Sequence, residues 1–219
     1  MADHTEDALI REIDDELRQE QFTKFWKRYG RYVIAAAAGC VLGVAAWQLW
    51  SAQQLKAHRA QGDTLALAQR LAATDNLEGA KQTLRKLADA GDGYAILAHF
   101  KEAALETQSG KPKAALVIYH SVAANDSAPS LYRDLATVMG AALEINQPGA
   151  DLKAVAARLE PLTKPGNAWR HGAEELLAAI ALQSNDTAGA RKHLEILSKD
   201  PDTPARMRER ATELLTILR

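Results

Sequence analysis

Apolar residues along this chain recur three and four positions apart for most of its length, the spacing that lines one face of an α-helix. Near the start, Leu9, Ile10, Ile13 and Leu17 mark such a face with acids opposite, and Phe22, Phe25 and Trp26 continue it. The pattern then changes. From Val33 to Trp50 the chain reads VIAAAAGCVLGVAAWQLW, apolar all round, with no charge and one polar side chain, Gln48. Beyond it, amphipathic segments are separated by short clusters of turn-forming and helix-capping residues. These fall at Thr74-Asp75-Asn76, Gly91-Asp92-Gly93, Gly110-Lys111-Pro112, Asn125 to Pro129, Asn146 to Gly149, Lys164 to Asn167, Asn185-Asp186 and Asp200 to Pro204. Helices of this length joined by short connections pack as antiparallel hairpins, so an all-α chain is expected.

The all-apolar stretch has the length of a membrane span, since its residues would make a helix of roughly 27 Å. Aromatic rings collar it: Trp26, Tyr29 and Tyr32 on one side, Trp47 and Trp50 on the other. Arg18, Lys24, Lys27, Arg28 and Arg31 precede it, against Lys56 and Arg59 in the window that follows. The positive-inside rule then puts residues 1–32 in the cytoplasm as an amphipathic segment, 33–50 in the bilayer with Cys40 as a small apolar residue, and 51–219 across the membrane. Two other readings of the same residues are a buried core helix and a signal peptide cleaved after Val44-Ala45-Ala46. A long acidic leading segment is unlike the short basic region of a signal peptide, and the expectation is an uncleaved single-pass anchor. The leading segment reads either as a solvated helix or as a docking helix for a partner.

An internal repeat is visible in the alanines. Ala68, Ala103 and Ala178 are each followed twelve residues later by another, Ala80, Ala115 and Ala190. Apolar residues then follow at the fourth and seventh positions: Leu84 and Leu87, Tyr119 and Val122, Leu194 and Leu197. Small residues where two helices of a hairpin cross let the backbones approach, and larger ones further along seal the seam. The first interval is 35 residues and the second 75, which leaves room for one irregular unit around 130–162, where Ala142 and Ala154 keep the spacing but Arg158 and Pro161 take the seam positions. The period, the helix–turn–helix units and the paired alanines resemble the tetratricopeptide repeat. After Thr203-Pro204 a last amphipathic helix carries Met207, Ala211, Leu214, Leu215 and Leu218 on one stripe, the capping helix that such stacks require. The expected fold is a single N-terminal transmembrane helix followed by a tetratricopeptide-like α-solenoid of helical hairpins.

Composition agrees and narrows the chemistry. Alanine and leucine, the best apolar helix formers, supply 43 and 28 of the 219 residues, which argues against an all-β fold. Lys and Arg total 27 against 28 acids, a balance unlike that of a nucleic-acid binder. A single cysteine excludes an intramolecular disulfide. The six histidines are scattered without metal-ligand spacing, and there is no phosphate-binding loop or nucleophile elbow. Arg170-His171 with Glu174-Glu175 reads as an exposed charge ladder rather than an acid–base group, and Gly91-Asp92-Gly93 as a helix-capping turn. No catalytic residue, cofactor, metal or small-molecule substrate is expected.

A short leading segment, an anchor with the collar Lys24-Phe25-Trp26-Lys27-Arg28-Tyr29-Gly30, and a small divergent repeat domain together resemble the ancillary subunits of the SecYEG translocon, the YfgM-like family. The segment from Tyr94 through the Ala103/Ala115 hairpin is most similar. This resemblance implies a bacterial inner-membrane protein whose periplasmic domain associates with the translocon and with periplasmic chaperones. It also implies that the first helices of the hairpins line a concave binding face, with Gln69, Phe100, Thr107 and Glu175 as contacts, though Phe100 reads equally as core. Other readings are a periplasmic coordinator of envelope assembly or division, and an anchored enzyme.

Overall fold

The computed structural model describes residues 3–91 and 93–218; the side chains of residues 3–25, 29, 33, 35–38 and 57 lie outside the description. Its described residues form helices α1 (Asp3–Ala73), α2 (Leu77–Asp89), α3 (Ala95–Gln108), α4 (Pro112–Ala123) and α5 (Ser130–Glu144). Then follow α6 (Leu152–Leu159), a 3-10 turn (Glu160–Thr163), α7 (Arg170–Gln183), α8 (Thr187–Lys199) and α9 (Ala205–Ile217). The eight turn clusters mark the breaks between helices, with Pro112 opening α4, and the architecture is an all-α stack of helical hairpins. Two compact units divide the chain, Met1–Arg59 and Ala60–Arg219.

Within the second unit, three turns share one geometry for a chemical reason. Asp75, Gly110 and Asn185 adopt left-handed backbone, with φ of 62°, 73° and 59°. These are residue types that tolerate this region. The following amide reaches back five residues in each case: Asn76 to the Leu71 carbonyl at 2.9 Å, Lys111 to Glu106 at 2.8 Å, Asp186 to Ala181 at 2.8 Å. That contact is the helix-ending motif that satisfies otherwise orphaned carbonyls. In two of the turns the same residue then starts the next helix. Asn76 accepts from the Gly79 amide at 3.0 Å and Asp186 from the Gly189 amide at 2.9 Å. Lys111 offers no side-chain cap, and Pro112 stands in the first turn instead.

Packing follows the alanine frame. Ala68, Ala80, Ala103, Ala115, Ala178 and Ala190 are all at most 2% exposed, and the seam residues four and seven positions on are buried with them. Four apolar clusters follow each other along the chain. Leu65 and Ala68 pack with Leu84, Leu87 and Ala98. Ala103 packs with Ala115, Tyr119, Val122 and Ala136. Ala141 and Ile145 join Val155, Leu159, Leu162 and Leu177. Ala178 closes the series with Leu194, Leu197 and Ala211 of the last helix.

The irregular hairpin differs from its expected register. Ala142 and Ala154 are not the buried pair; Ala141 and Val155 are, at 2% and 0% exposure. Val155 holds the fourth position of α6, where Ala80, Ala115 and Ala190 stand in α2, α4 and α8. Its seam partners four and seven residues on are Leu159 and Leu162, so Arg158 and Pro161 point outward. The longer connection from Ile145 to Asp151 moves each member of the pair by one residue, in opposite directions, and Pro161 tightens the end of α6 into the 3-10 turn.

The described residues of the first unit lie within α1. Every described residue from 39 to 56 is exposed, including Val41, Leu42, Trp47, Leu49 and Trp50 at 59–71%. The Trp47 and Trp50 rings lie 5.6 Å apart, and the Arg31 guanidinium donates to the Tyr32 hydroxyl at 3.0 Å. Val33 and residues 35–38 of the expected span lie outside the described side chains, as does most of the amphipathic segment 1–32. Among the described residues no helix is long and apolar enough to cross a membrane.

Candidate functional site

Aromatic residues are scarce after position 50: Tyr94, Phe100, Tyr119, Tyr132 and Trp169. Four of the five line one groove of about 440 Å³ between α3 and α5, floored by Tyr119 of α4. Leu97, Phe100, Lys101 and Ala104 come from α3, and Tyr132, Leu135 and Met139 from α5. These side chains stay partly uncovered; Leu97, Tyr132 and Met139 are each 41–42% exposed. The Phe100 and Tyr119 rings meet at 6.0 Å and 49°, a tilted pair of the kind that aromatic quadrupoles favour. Burial pushes the Tyr119 phenol above its ordinary value. Its position depends on Gly140, since a side-chain carbon there would come within 3.3 Å of the Tyr119 Cβ.

Polar ties outside the groove fix both walls. Behind α3, Arg85 of α2 donates to Glu102 at 2.6 Å and to Glu106 at 3.1 Å. Lys81, only 1% exposed, reaches Glu106 at 3.4 Å and Glu78 at 2.6 Å. The hydrogen bond to Glu78, then that to Glu106, holds the Lys81 ammonium above the usual lysine value against the opposing effect of burial. Behind α5, the indole N–H of Trp169 donates to the Leu131 carbonyl at 2.8 Å, and the Asn167 amide donates to Asp134 at 2.8 Å. A cleft held open by rigid supports of this kind loses little ordering entropy on binding.

A smaller cleft, about 210 Å³, lies between α7, α8 and α9. Of the Arg170-His171 and Glu174-Glu175 group only Glu175 lines this cleft, and the four are paired across segments rather than forming a free ladder on one helix. Arg170 and His171 both engage Asp200, His193 contacts buried Glu174 at 2.6 Å, and Glu175 is paired with Arg210 of α9. Backbone and side-chain hydrogen bonds, from the Asp202 amide first and His171 next, hold the Asp200 carboxyl below the usual range. All four residues tie helices together, because each finds a partner of opposite charge or polarity on another segment. Among the described residues no group of three or more histidine, cysteine or acidic side chains could hold a metal ion.

The four expected contacts disperse. Phe100 lines the groove; Thr107, further along α3, donates its hydroxyl to the Ala103 carbonyl at 2.9 Å. Gln69 is exposed on α1, and Glu175 lies in the smaller cleft. Leu97, Tyr132 and Met139 were not anticipated, although the crowding of aromatics between residues 94 and 132 was a visible signal.

No curated protein and no solved structure matches the chain significantly. Residues 23–195 match the tetratricopeptide repeat-like domain, whose members are typically non-catalytic scaffolds for protein interaction. With stacked hairpins, small-residue crossings and a match covering most of its length, the chain belongs to the tetratricopeptide repeat-like domain family.

Proposed function

We propose that this protein is a membrane-tethered adaptor whose α3–α5 groove captures segments of other proteins. The observation that carries this is the gathering of four aromatics with the exposed Leu97 and Met139 in a groove with braced walls, the composition of an interface hot spot. The tether is the segment from Val33 through Cys40 to Trp50. Its described side chains from 39 to 56 are exposed, which supports a lipid bilayer as their cover. The basic collar supports a topology with residues 1–32 in the cytoplasm and 51–219 in the periplasm of a bacterial inner membrane. Tethering raises the effective concentration of a weak binder beside a secretion channel. Together with the resemblance in layout, this supports a role as an ancillary subunit of the SecYEG translocon that passes emerging chains to periplasmic chaperones.

Affinity purification of the tagged full chain from membranes tests the role. Translocon subunits and periplasmic chaperones are expected to co-purify, and Leu97→Asp or Met139→Asp to reduce the chaperone fraction. Recovery of neither class overturns the assignment, and a mid-cell band of a fluorescent fusion would favour a coordinator of division instead. Protease added to intact spheroplasts should digest residues 51–219 and spare 1–32.

A further inference from the structure

We infer that the α3–α5 groove is built for an amphipathic helix of two to three turns with an acidic flank, an inference that rests on the groove reading proposed above. Its two walls carry matching stripes. Leu97, Phe100 and Ala104 stand at i, i+3 and i+7 on α3, and Tyr132, Leu135 and Met139 at the same spacing on α5. Each stripe covers two helical turns, roughly 10 Å, so the groove is as long as a short helix and bounded by the helical side-chain period. Ala104 is the low point of its wall and leaves a hole for a bulky side chain between larger neighbours.

The nature of the lining selects a helix over an extended segment. Lys101 and the hydroxyls of Tyr94, Tyr119 and Tyr132 are its only polar side-chain groups. The wall helices consume their own backbone donors and acceptors. An extended peptide would bring unpaired amides and carbonyls into this apolar cleft, each at a free-energy cost. A helix arrives with those groups already paired and presents only side chains.

Charge selects the flank. Lys101 is exposed at the groove and, among the described residues, has no carboxylate within ion-pair reach, whereas the cations behind α3, Lys81 and Arg85, are both paired. A carboxylate on the ligand one turn from its apolar anchors completes Lys101.

The test uses the full chain in lipid nanodiscs with a photo-reactive benzophenone residue in place of Leu97 or Met139, and at exposed Val117 of α4 as an off-groove control. The probe is a peptide of roughly 15 residues built from alanine, leucine and glutamate, long enough to hold a helix. Its leucines stand three and four apart, with glutamates flanking them. Cross-linking is expected at Leu97 and Met139 and not at Val117. Lys101→Glu should lower the yield about fivefold and restore it for a peptide whose glutamates are replaced by lysine. A proline at the peptide's centre should abolish the cross-link. Equal cross-linking of the proline peptide, or no response to the charge exchange, overturns the helical, acidic ligand. If Leu97→Asp still reduces chaperone capture in that event, the groove reading stands and only the ligand class falls; if it does not, both fall.

Discussion

Replacing Glu106 with leucine probes the buried charge cluster between α2 and α3 that braces one wall of the groove. Glu106 is 3% exposed and accepts from two cations, Lys81 and Arg85. Neither cation is stranded by its loss, since Lys81 keeps Glu78 and Arg85 keeps Glu102. The penalty is therefore below that of a wholly unpaired buried charge, on the order of 2–4 kcal/mol. For a chain of this size that is roughly 4–16 °C in melting temperature, read by circular dichroism of the full chain in detergent. Lys81→Met alone leaves Glu106 with Arg85 and costs about 1–2 kcal/mol. Glu78 is itself 76% exposed and compensates the buried ammonium only in part, so removing Lys81 as well should leave the double variant about 1 kcal/mol or more above Glu106→Leu alone. Lys81 is held above the ordinary lysine value, so its contribution is complete below that value and is lost as pH rises through the higher folded one. Strict additivity of the two substitutions would refute the claim that these groups act as one buried unit.

Further outcomes follow from the packing. Ala115→Leu forces a large side chain into a fully closed helix crossing and should destabilise by about 1–3 kcal/mol in chemical denaturation. Gly140→Val presses on Tyr119 from behind, with a stability loss of about 1–3 kcal/mol and weaker partner capture by pull-down. Because burial raises the Tyr119 phenol, its stabilisation is present below the ordinary tyrosine value and is lost as pH climbs through the folded one; ultraviolet titration should show that component ionising late, and Tyr119→Phe should remove it. The Asp200 carboxyl is held low, so the tie to α7 persists above the ordinary aspartate value and fades as pH falls through the folded one. Asp200→Asn should flatten the acid limb of the melting-temperature profile.

The turns and crossings were legible in the sequence because their signals are local: a residue tolerant of left-handed backbone, a capping side chain, an alanine twelve positions from another. The third hairpin was not, because a longer connection moved its frame and a valine took the alanine's place. Lys81, Glu102 and Glu106 had no place in the sequence reading, yet they stand on the same stripes as Leu84, Ala98 and Ala103. Charges on the apolar stripes of two neighbouring helices were the clue, and only pairing across helices decides whether they are buried. The groove was harder still. Phe100 could be named from its helix, but Tyr132 and Met139 join it through the stacking of one hairpin on the next, which no single segment encodes.

Each of the four apolar clusters draws only on helices that follow one another in the chain. Damage or change in one is therefore felt by its immediate neighbours and hardly beyond them. The cluster under the groove and the one joining α7, α8 and α9 are separate, so the three helices around the groove can be rewritten by mutation while α8 and α9 keep their own packing. Such an arrangement lets a lineage exchange its clients without refolding its scaffold.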